Sequence, residues 1–301
     1  MIRPASKATD PLLMANGLAV IALAFAYGGT CLALYHLQTK LIFRPLPQIF
    51  NTPADAGLAY EDVWIPVDGG RAGKLHGWWL PCLGSDRVLL FCHGNYGNIS
   101  HNLARIRYHH SLGFSVLAFD YRGYGQSIGA SASSGQTDFP SEASTYADAE
   151  AAWHYLTRDR QISPEQITVC GHSLGGAIAV HLATQHPDMA RLIVKSSFTS
   201  MKDAVKAKPF YCLFPIEQML KEPFDSLSKV SQLSVPVLYV HGEQDVDVPA
   251  ELSQRLYDAS GGRKQLWLVP GAGHNNISAD FGEAYAEVIE SFCASSQLEL
   301  V

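Results

Sequence analysis

From Pro11 to Thr39 the chain carries no charged residue, and from Leu12 to Leu37 it is mostly apolar. About 20 apolar residues cross a hydrocarbon core, so this run predicts one membrane-spanning helix. Arg3 and Lys7 flank it on one side and Lys40 and Arg44 on the other, with Tyr35 near an interface. Beyond it the pattern shifts to short apolar runs separated by turn residues. Runs at 60–67 and 74–80, joined by Asp68-Gly69-Gly70, read as an antiparallel pair. Strand-like runs at 87–92, 114–119, 166–170, 191–195, 235–240 and 264–269 follow. Helical runs at 99–112, 144–156, 177–185 and 281–293 alternate with them. That alternation predicts an α/β architecture, a mostly parallel sheet flanked by helices, with sites at the C-terminal ends of its strands.

Composition narrows this only a little. A chain of 301 residues, 47% hydrophobic and 17% charged, accommodates one large α/β core. A net charge of −6 without a basic cluster argues against a nucleic-acid partner. The 12 histidines show no metal spacing and the cysteines no Cys-x-x-Cys, so neither metal nor cofactor is expected. Cysteines at 31, 82, 92, 170, 212 and 293 read as free thiols, not as the staples of a small secreted scaffold. The rival for the N-terminus is a signal peptide cleaved near Ala24-Phe25-Ala26, leaving a secreted or periplasmic domain. The apolar run continues well past Ala26, which favours a retained single-pass anchor. Two Lys/Arg on each flank leave the topology open.

The chemistry lies at the ends of the predicted strands. Gly171-His172-Ser173-Leu174-Gly175 follows one strand and opens a helix, the context of a nucleophile elbow. Alone, such a pentapeptide arises by chance in roughly one chain in ten of this length. The next strand ends in His241-Gly242-Glu243-Gln244-Asp245-Val246-Asp247, and the last in Gly271-Ala272-Gly273-His274-Asn275. A serine hydroxyl needs an imidazole to take its proton, and the imidazole needs a carboxylate to hold its tautomer. Ser173, Asp245 and His274 supply that set in the chain order Ser, Asp, His. The blander readings are a helix cap for Ser173 and a surface-loop residue for His274. Asp247 competes with Asp245, but lies farther from the strand end and is placed to cap a helix beginning near Pro249. His241 is expected to pack or bond within its own loop, and His93 to order the loop after its strand. The oxyanion would be held by the backbone N–H groups of Leu174 and Asn95, with Tyr96 as the alternative to Asn95.

Asp120-Tyr121-Arg122-Gly123-Tyr124-Gly125-Gln126-Ser127 resembles the Asp-x-Arg-Gly-x-Gly-x-Ser loop of α/β-hydrolases. With the His93-Gly94-Asn95 loop, the elbow, His241-Gly242-x-x-Asp245 and His274-Asn275, the resemblance covers most of residues 60–294. The chain is most similar to the serine aminopeptidase-like and Bem-like subgroup, and the segment from Gln38 to Pro45 resembles that group's juxtamembrane stretch. The resemblance implies an α/β-hydrolase fold with an eight-stranded sheet. It also implies a cofactor-free serine hydrolase acting on acyl thioesters, lysophospholipids or other lipid esters.

The expected organisation is a tail and anchor (1–40), a connector along the membrane surface (41–59), a hydrolase domain (60–294) and a tail (295–301). Residues 201–233 are too short for a large lid and would form a small cap. Phe210, Phe214 and Met219 are the candidates for its substrate-facing wall. A Ser/Gly-rich insertion at 130–139 reads as a surface loop that could border the entrance. A chain without residues 1–38 is expected to be soluble and active. The functional expectation is hydrolysis of a small or lipid-like acyl ester or thioester. An amidase or aminopeptidase, or a catalytically silent scaffold, is the alternative, and the oligomeric state is not readable.

Overall fold

The computed structural model describes residues 11–130 and 139–294, so most of the 130–139 insertion and all of the 295–301 tail lie outside the described residues. Eight strands form the main sheet: β1 (Glu61–Pro66), β2 (Gly73–Leu80), β3 (Val88–Cys92), β4 (Ser115–Phe119), β5 (Ile167–His172), β6 (Arg191–Lys195), β7 (Val237–Gly242) and β8 (Lys264–Val269). Their spatial order is β8-β7-β6-β5-β3-β4-β2-β1, and a ninth, two-residue strand (Ile128–Gly129) pairs with β2. Strands β3 to β8 run parallel, while β2 is antiparallel to both β1 and β4. The sequence explains the difference. Every residue of β3, β4 and β5 is buried, as strands covered on both faces must be, whereas β1 alternates like a half-covered edge.

Helices close both faces. On one side lie α3 (Glu142–His154) and α4 (Leu174–Gln185); α2 (Leu103–Ser111) and α6 (Gly282–Ala294) contribute to a second core around Leu89, Phe91 and Ile193, and α5 (Glu251–Ala259) joins the first. A capping box fixes the start of α3, with Ser141 Oγ accepting from the Ser144 N–H and Ser144 Oγ from the Ser141 N–H. The Arg122 guanidinium donates to the buried Asp148 carboxylate of α3 at 2.6 Å and to the carbonyls of Ala72 and Ser144. The Asp-x-Arg-Gly loop is thereby tied to α3.

The N-terminal helix α1 runs from Pro11 to Ile42, two residues past the expected end of the anchor. An 18-residue window within Asn16–Ile42 has a mean hydropathy of 1.9, and the helix is long and apolar enough to cross a membrane. Large apolar side chains along it, Leu18, Leu23 and Phe25 among them, are exposed. Its last turns are different: Gln38 and Ile42 are buried, as is Phe43 just beyond, which packs on Phe139 and Phe224.

The connector after α1 is stitched to the loops that follow β3 and β4. Arg44 and Pro45 pair in parallel with Tyr96 and Gly97. The Asn98 amide donates to the carbonyls of Leu46 and Gln48, and the Gly125 N–H donates to Leu46 as well. The loop after β3 therefore depends on residues that the sequence pattern had placed outside the hydrolase domain.

Candidate active site

The elbow residue Ser173 has φ 54° and ψ −119°, a strained conformation for a residue with a Cβ. Its surroundings explain how it is held. The Ser173 N–H donates to the Lys195 carbonyl at 2.9 Å, and the Ser173 carbonyl accepts from Ser197 Oγ at 2.8 Å. The chain must pass so close to β3 that a Cβ on Gly175 would lie 2.1 Å from the Cys92 carbonyl oxygen. A Cβ on Gly171 would lie 2.2 Å from the Gly175 oxygen. Both glycines of the pentapeptide are needed for packing, and Ser173 takes the positive φ itself.

Asp245 sits just past the end of β7 and His274 just past the end of β8. His274 Nδ1 is 2.6 Å from Asp245 Oδ2, and the Asp245 side chain is fully buried. Asp245 Oδ1 accepts from the N–H groups of Asp247 and Val248 at 2.9 and 2.8 Å. Burial opposes ionisation of Asp245, but hydrogen bonds from His241, His274 and the Val248 N–H outweigh it and hold the carboxyl well below its ordinary range. A short charge-assisted bond to Nδ1 leaves Nε2 of His274 as the atom free to take a proton.

Ser173 and His274 line one cavity of about 740 Å³, together with Gly94, Asn95, Tyr96 and Leu174. Among the described residues no hydrogen bond joins Ser173 Oγ to His274; such bonds commonly tighten only when substrate is bound. The loop after β3 lies against Ser173, since a Cβ on Gly94 would meet the Ser173 Cβ at 3.4 Å. Asn95 is fixed in that loop: its amide donates to the Ile42 carbonyl at 2.8 Å, and its carbonyl accepts from Tyr124 Oη and the Arg44 N–H. Tyr96 belongs to the short ladder with Arg44, and its ring is half exposed under the Arg44 guanidinium. His93 orders this loop as expected, with Nδ1 2.7 Å from the Gly94 carbonyl and Nε2 3.3 Å from Asp120.

Several placements differ from the sequence reading. Asp247 caps nothing: helix α5 starts after Ala250, and the Asp247 carboxylate instead faces Lys208 at 3.4 Å. His241 bonds within its own loop as expected, its Nε2 3.0 Å from Asp245 Oδ2 and 2.9 Å from the Val248 carbonyl, and its Nδ1 also meets Ser253 Oγ of α5. It is a second imidazole on the same carboxylate oxygen. Met219 lines the cavity, but Phe210 and Phe214 do not. Phe210 sits on the outer side of a 3-10 turn (Pro209–Leu213) that turns Tyr211 inward, and Phe214, just past the turn in extended backbone, stacks its ring on Tyr27 of α1 at 5.6 Å. Successive residues in such a turn point about 120° apart, a phase that apolar composition does not reveal.

The sequence reading also passed over the wall supplied by α1 and a polar layer beneath His274. Leu34, Gln38, Leu41 and Ile42 line the cavity opposite Met201, Val205, Ile216 and Met219 of the cap. Gln38 latches the two together, donating to the Met219 carbonyl and accepting from the Lys221 N–H. Beneath His274, the buried His172 ring stands 5.1 Å away between centroids, and its Nε2 faces Asn275 Oδ1, which also accepts from Arg105. Burial, reinforced by Arg105, His274 and Lys195, keeps His172 neutral. Lys195, buried at the end of β6, is pushed down to about 7 by burial and by Arg105. The signals available were His172, directly before Ser173, and Asn275, directly after His274; Arg105 of α2 and Lys195 of β6 come from segments distant in sequence.

Known proteins bear on this geometry. Residues 87–211 match the family described as the alpha/beta hydrolase fold. The Arabidopsis thaliana alpha/beta hydrolase domain-containing protein WAV2 is 31% identical over 293 residues, covering 88% of this chain and 92% of its own. The chain belongs to the α/β-hydrolase family. The Mycobacterium tuberculosis protein Rv2307c is 34% identical over 92% of this chain and 95% of its own. The lysophosphatidylserine lipase ABHD12 of Danio rerio is 27% identical over 76% of this chain and 68% of its own. In fold, this α/β-hydrolase is similar to a Pyrococcus furiosus esterase, with a TM-score of 0.70 at 21% identity over 84% of this chain and 98% of that one.

Proposed function

We propose that this α/β-hydrolase is a membrane-anchored serine hydrolase that cleaves acyl esters or thioesters of lipid-like substrates. The observation that carries the reading is the 2.6 Å bond between His274 Nδ1 and a buried Asp245, with His274 and the strained Ser173 on one cavity. Nε2 of His274 takes the Ser173 hydroxyl proton as Oγ adds to the carbonyl carbon. The resulting oxyanion receives the N–H groups of Leu174 and Asn95, at the head of α4 and in the loop against Ser173. Collapse expels the alcohol or thiol, which takes the proton from His274, and leaves an acyl group on Ser173. Water, deprotonated by His274, then releases the acid and frees the serine.

The substrate class follows from the walls. The cavity lining includes the apolar side chains of Leu34, Leu41, Ile42, Phe198, Met201 and Val205, which suit an acyl chain. Both α1 and the cap contribute to it, and the exposed apolar surface of α1 suits a bilayer. A similar protein named as a lysophosphatidylserine lipase supports the same substrate class.

A panel of p-nitrophenyl esters, acyl thioesters, lysolipids and aminoacyl amides tests this reading. Turnover should rise with acyl length, and amides should be poor substrates; activity confined to aminoacyl amides would refute it. Removing residues 1–38 takes Leu34 and Gln38 from the wall. Loss of about one well-buried side chain's contact, ~1.5–3 kcal/mol, should lower long-chain kcat/KM by roughly 10–100-fold while short esters change little. Equal rates for both lengths in the truncated chain would show that α1 is only a tether.

A further inference from the structure

We propose that the 3-10 turn Pro209–Leu213, with Phe214, inserts into the bilayer beside α1, so that the cap is a second membrane contact and the cavity behind it opens among acyl chains. This rests on α1 spanning the membrane. The first observation is the exposure of the turn. Phe210 is 58% and Leu213 69% exposed, and they adjoin the exposed Tyr27 of α1. A contiguous aromatic and aliphatic patch of this kind marks a contact surface.

The occupant of that surface is set by its continuity with α1. The cap climbs the helix from its C-terminal end toward its middle. At the lower end Gln38 holds the Met219 carbonyl and the Lys221 N–H, and Lys221 Nζ stands 3.8 Å over the Tyr35 ring. At the upper end Phe214 stacks on Tyr27 with an interplanar angle of 9°, and Tyr27 Oη donates to the Leu213 carbonyl at 3.1 Å. Tyr27 precedes Gln38 by about three turns, roughly 16 Å of axis at ~1.5 Å per residue. With Tyr35, Lys221 and Lys40 at the interface, Tyr27 lies roughly 12 Å deeper. Phe210, Leu213 and Phe214 come with it.

Charge and backbone bonding suit that depth. The stretch Pro209-Phe210-Tyr211-Cys212-Leu213-Phe214 carries no charge. The charges that flank it in sequence are paired: Glu217 with Lys206 at 2.8 Å, and Lys208 with Asp247 at 3.4 Å. An irregular turn in lipid must satisfy its polar groups from within the protein. The N–H groups of Tyr211, Phe214 and Ile216 donate to the carbonyls of Lys208, Tyr211 and Phe214. The Leu213 carbonyl, which water would otherwise serve, receives the Tyr27 hydroxyl. That bond also gives a mid-helix tyrosine hydroxyl the partner it needs in an apolar medium. Just behind the patch, Tyr211, Ile216 and Met219 face the cavity, with Leu34 and Leu41 of α1 across from them. An acyl chain leaving the bilayer at this seam reaches the cavity without crossing water.

The test uses the full chain in phosphatidylcholine vesicles whose acyl chains are brominated, against unbrominated vesicles. The extra emission of Leu213→Trp over the wild-type tryptophans should fall by about twofold with brominated chains, as expected for an indole at acyl depth. Phe210→Trp serves as the second variant should Leu213→Trp fail to fold. Unquenched emission from a chain that still resists carbonate extraction overturns the inserted cap and leaves the anchor standing. Release by carbonate overturns the anchor and the inserted cap together, and cross-linking of the patch between two copies without quenching would identify a protein interface instead.

Discussion

Replacing Ser173 or His274 with alanine is expected to lower turnover by ~10⁶, and combining the two should cost little more. The reason is the division of labour at one cavity. Without His274 the Ser173 hydroxyl keeps its proton and is a poor nucleophile; without Ser173 the imidazole has only water to activate. Each change removes the same step, so the losses do not add. A residual rate over water, on the order of 10³–10⁴, should survive through the oxyanion donors and the binding walls. Steady-state kinetics on a short soluble ester provide the check. Two independent losses that multiply in the double variant would mean that the residues act separately.

Asp245→Asn should lower turnover by ~10⁴ while barely changing KM. A carboxylate 2.6 Å from Nδ1 fixes the proton there and stabilises the imidazolium that forms during attack. An amide can present its NH₂ to the same nitrogen and select the wrong tautomer. Asp247→Asn should stay near wild type, because that carboxylate faces Lys208 and only its backbone N–H reaches Asp245. A reversal of the two results would move the acid role to Asp247. The pH dependence of stability gives a separate reading. Asp245 is held below its ordinary range in the fold, so the stability it contributes is complete above the unfolded value near ~4. It is lost as pH falls from there through the folded value. Asp245→Asn should therefore be less stable than wild type at neutral pH by an amount that shrinks in acid, measured by denaturant unfolding at a series of pH values.

Much of the scaffold was legible in the sequence for a local reason. Continuous apolar runs such as Val88–Cys92 mark strands buried on both faces, and the apolar run ending near Leu37 marks α1. Ser173, Asp245 and His274 were visible because each follows its own strand, and a parallel sheet delivers all strand ends to one edge. What stayed hidden depends on contacts between segments distant in sequence. Gln38 is an ordinary polar residue at the end of an apolar helix until Met219 and Lys221 are folded against it. His241 became a partner of Asp245 only through the turn that brings Val248 back beside it. Phe210 and Phe214 had the right composition for a substrate wall, but the phase of one short turn points Phe210 outward and Phe214, past its end, stacks on Tyr27 of α1. The anchor was read as separable because its charge-free run ends at Thr39, yet its final turns form part of the cavity.

Whether Ser173 attacks a carbonyl from the cavity shared by α1 and the cap is decided by mass spectrometry of the full chain after treatment with a fluorophosphonate. One adduct per chain is expected, on Ser173, absent from Ser173→Ala and strongly slowed in His274→Ala. A folded wild-type chain that takes up no adduct, or takes it up on another residue with Ser173 untouched, would contradict attack by Ser173.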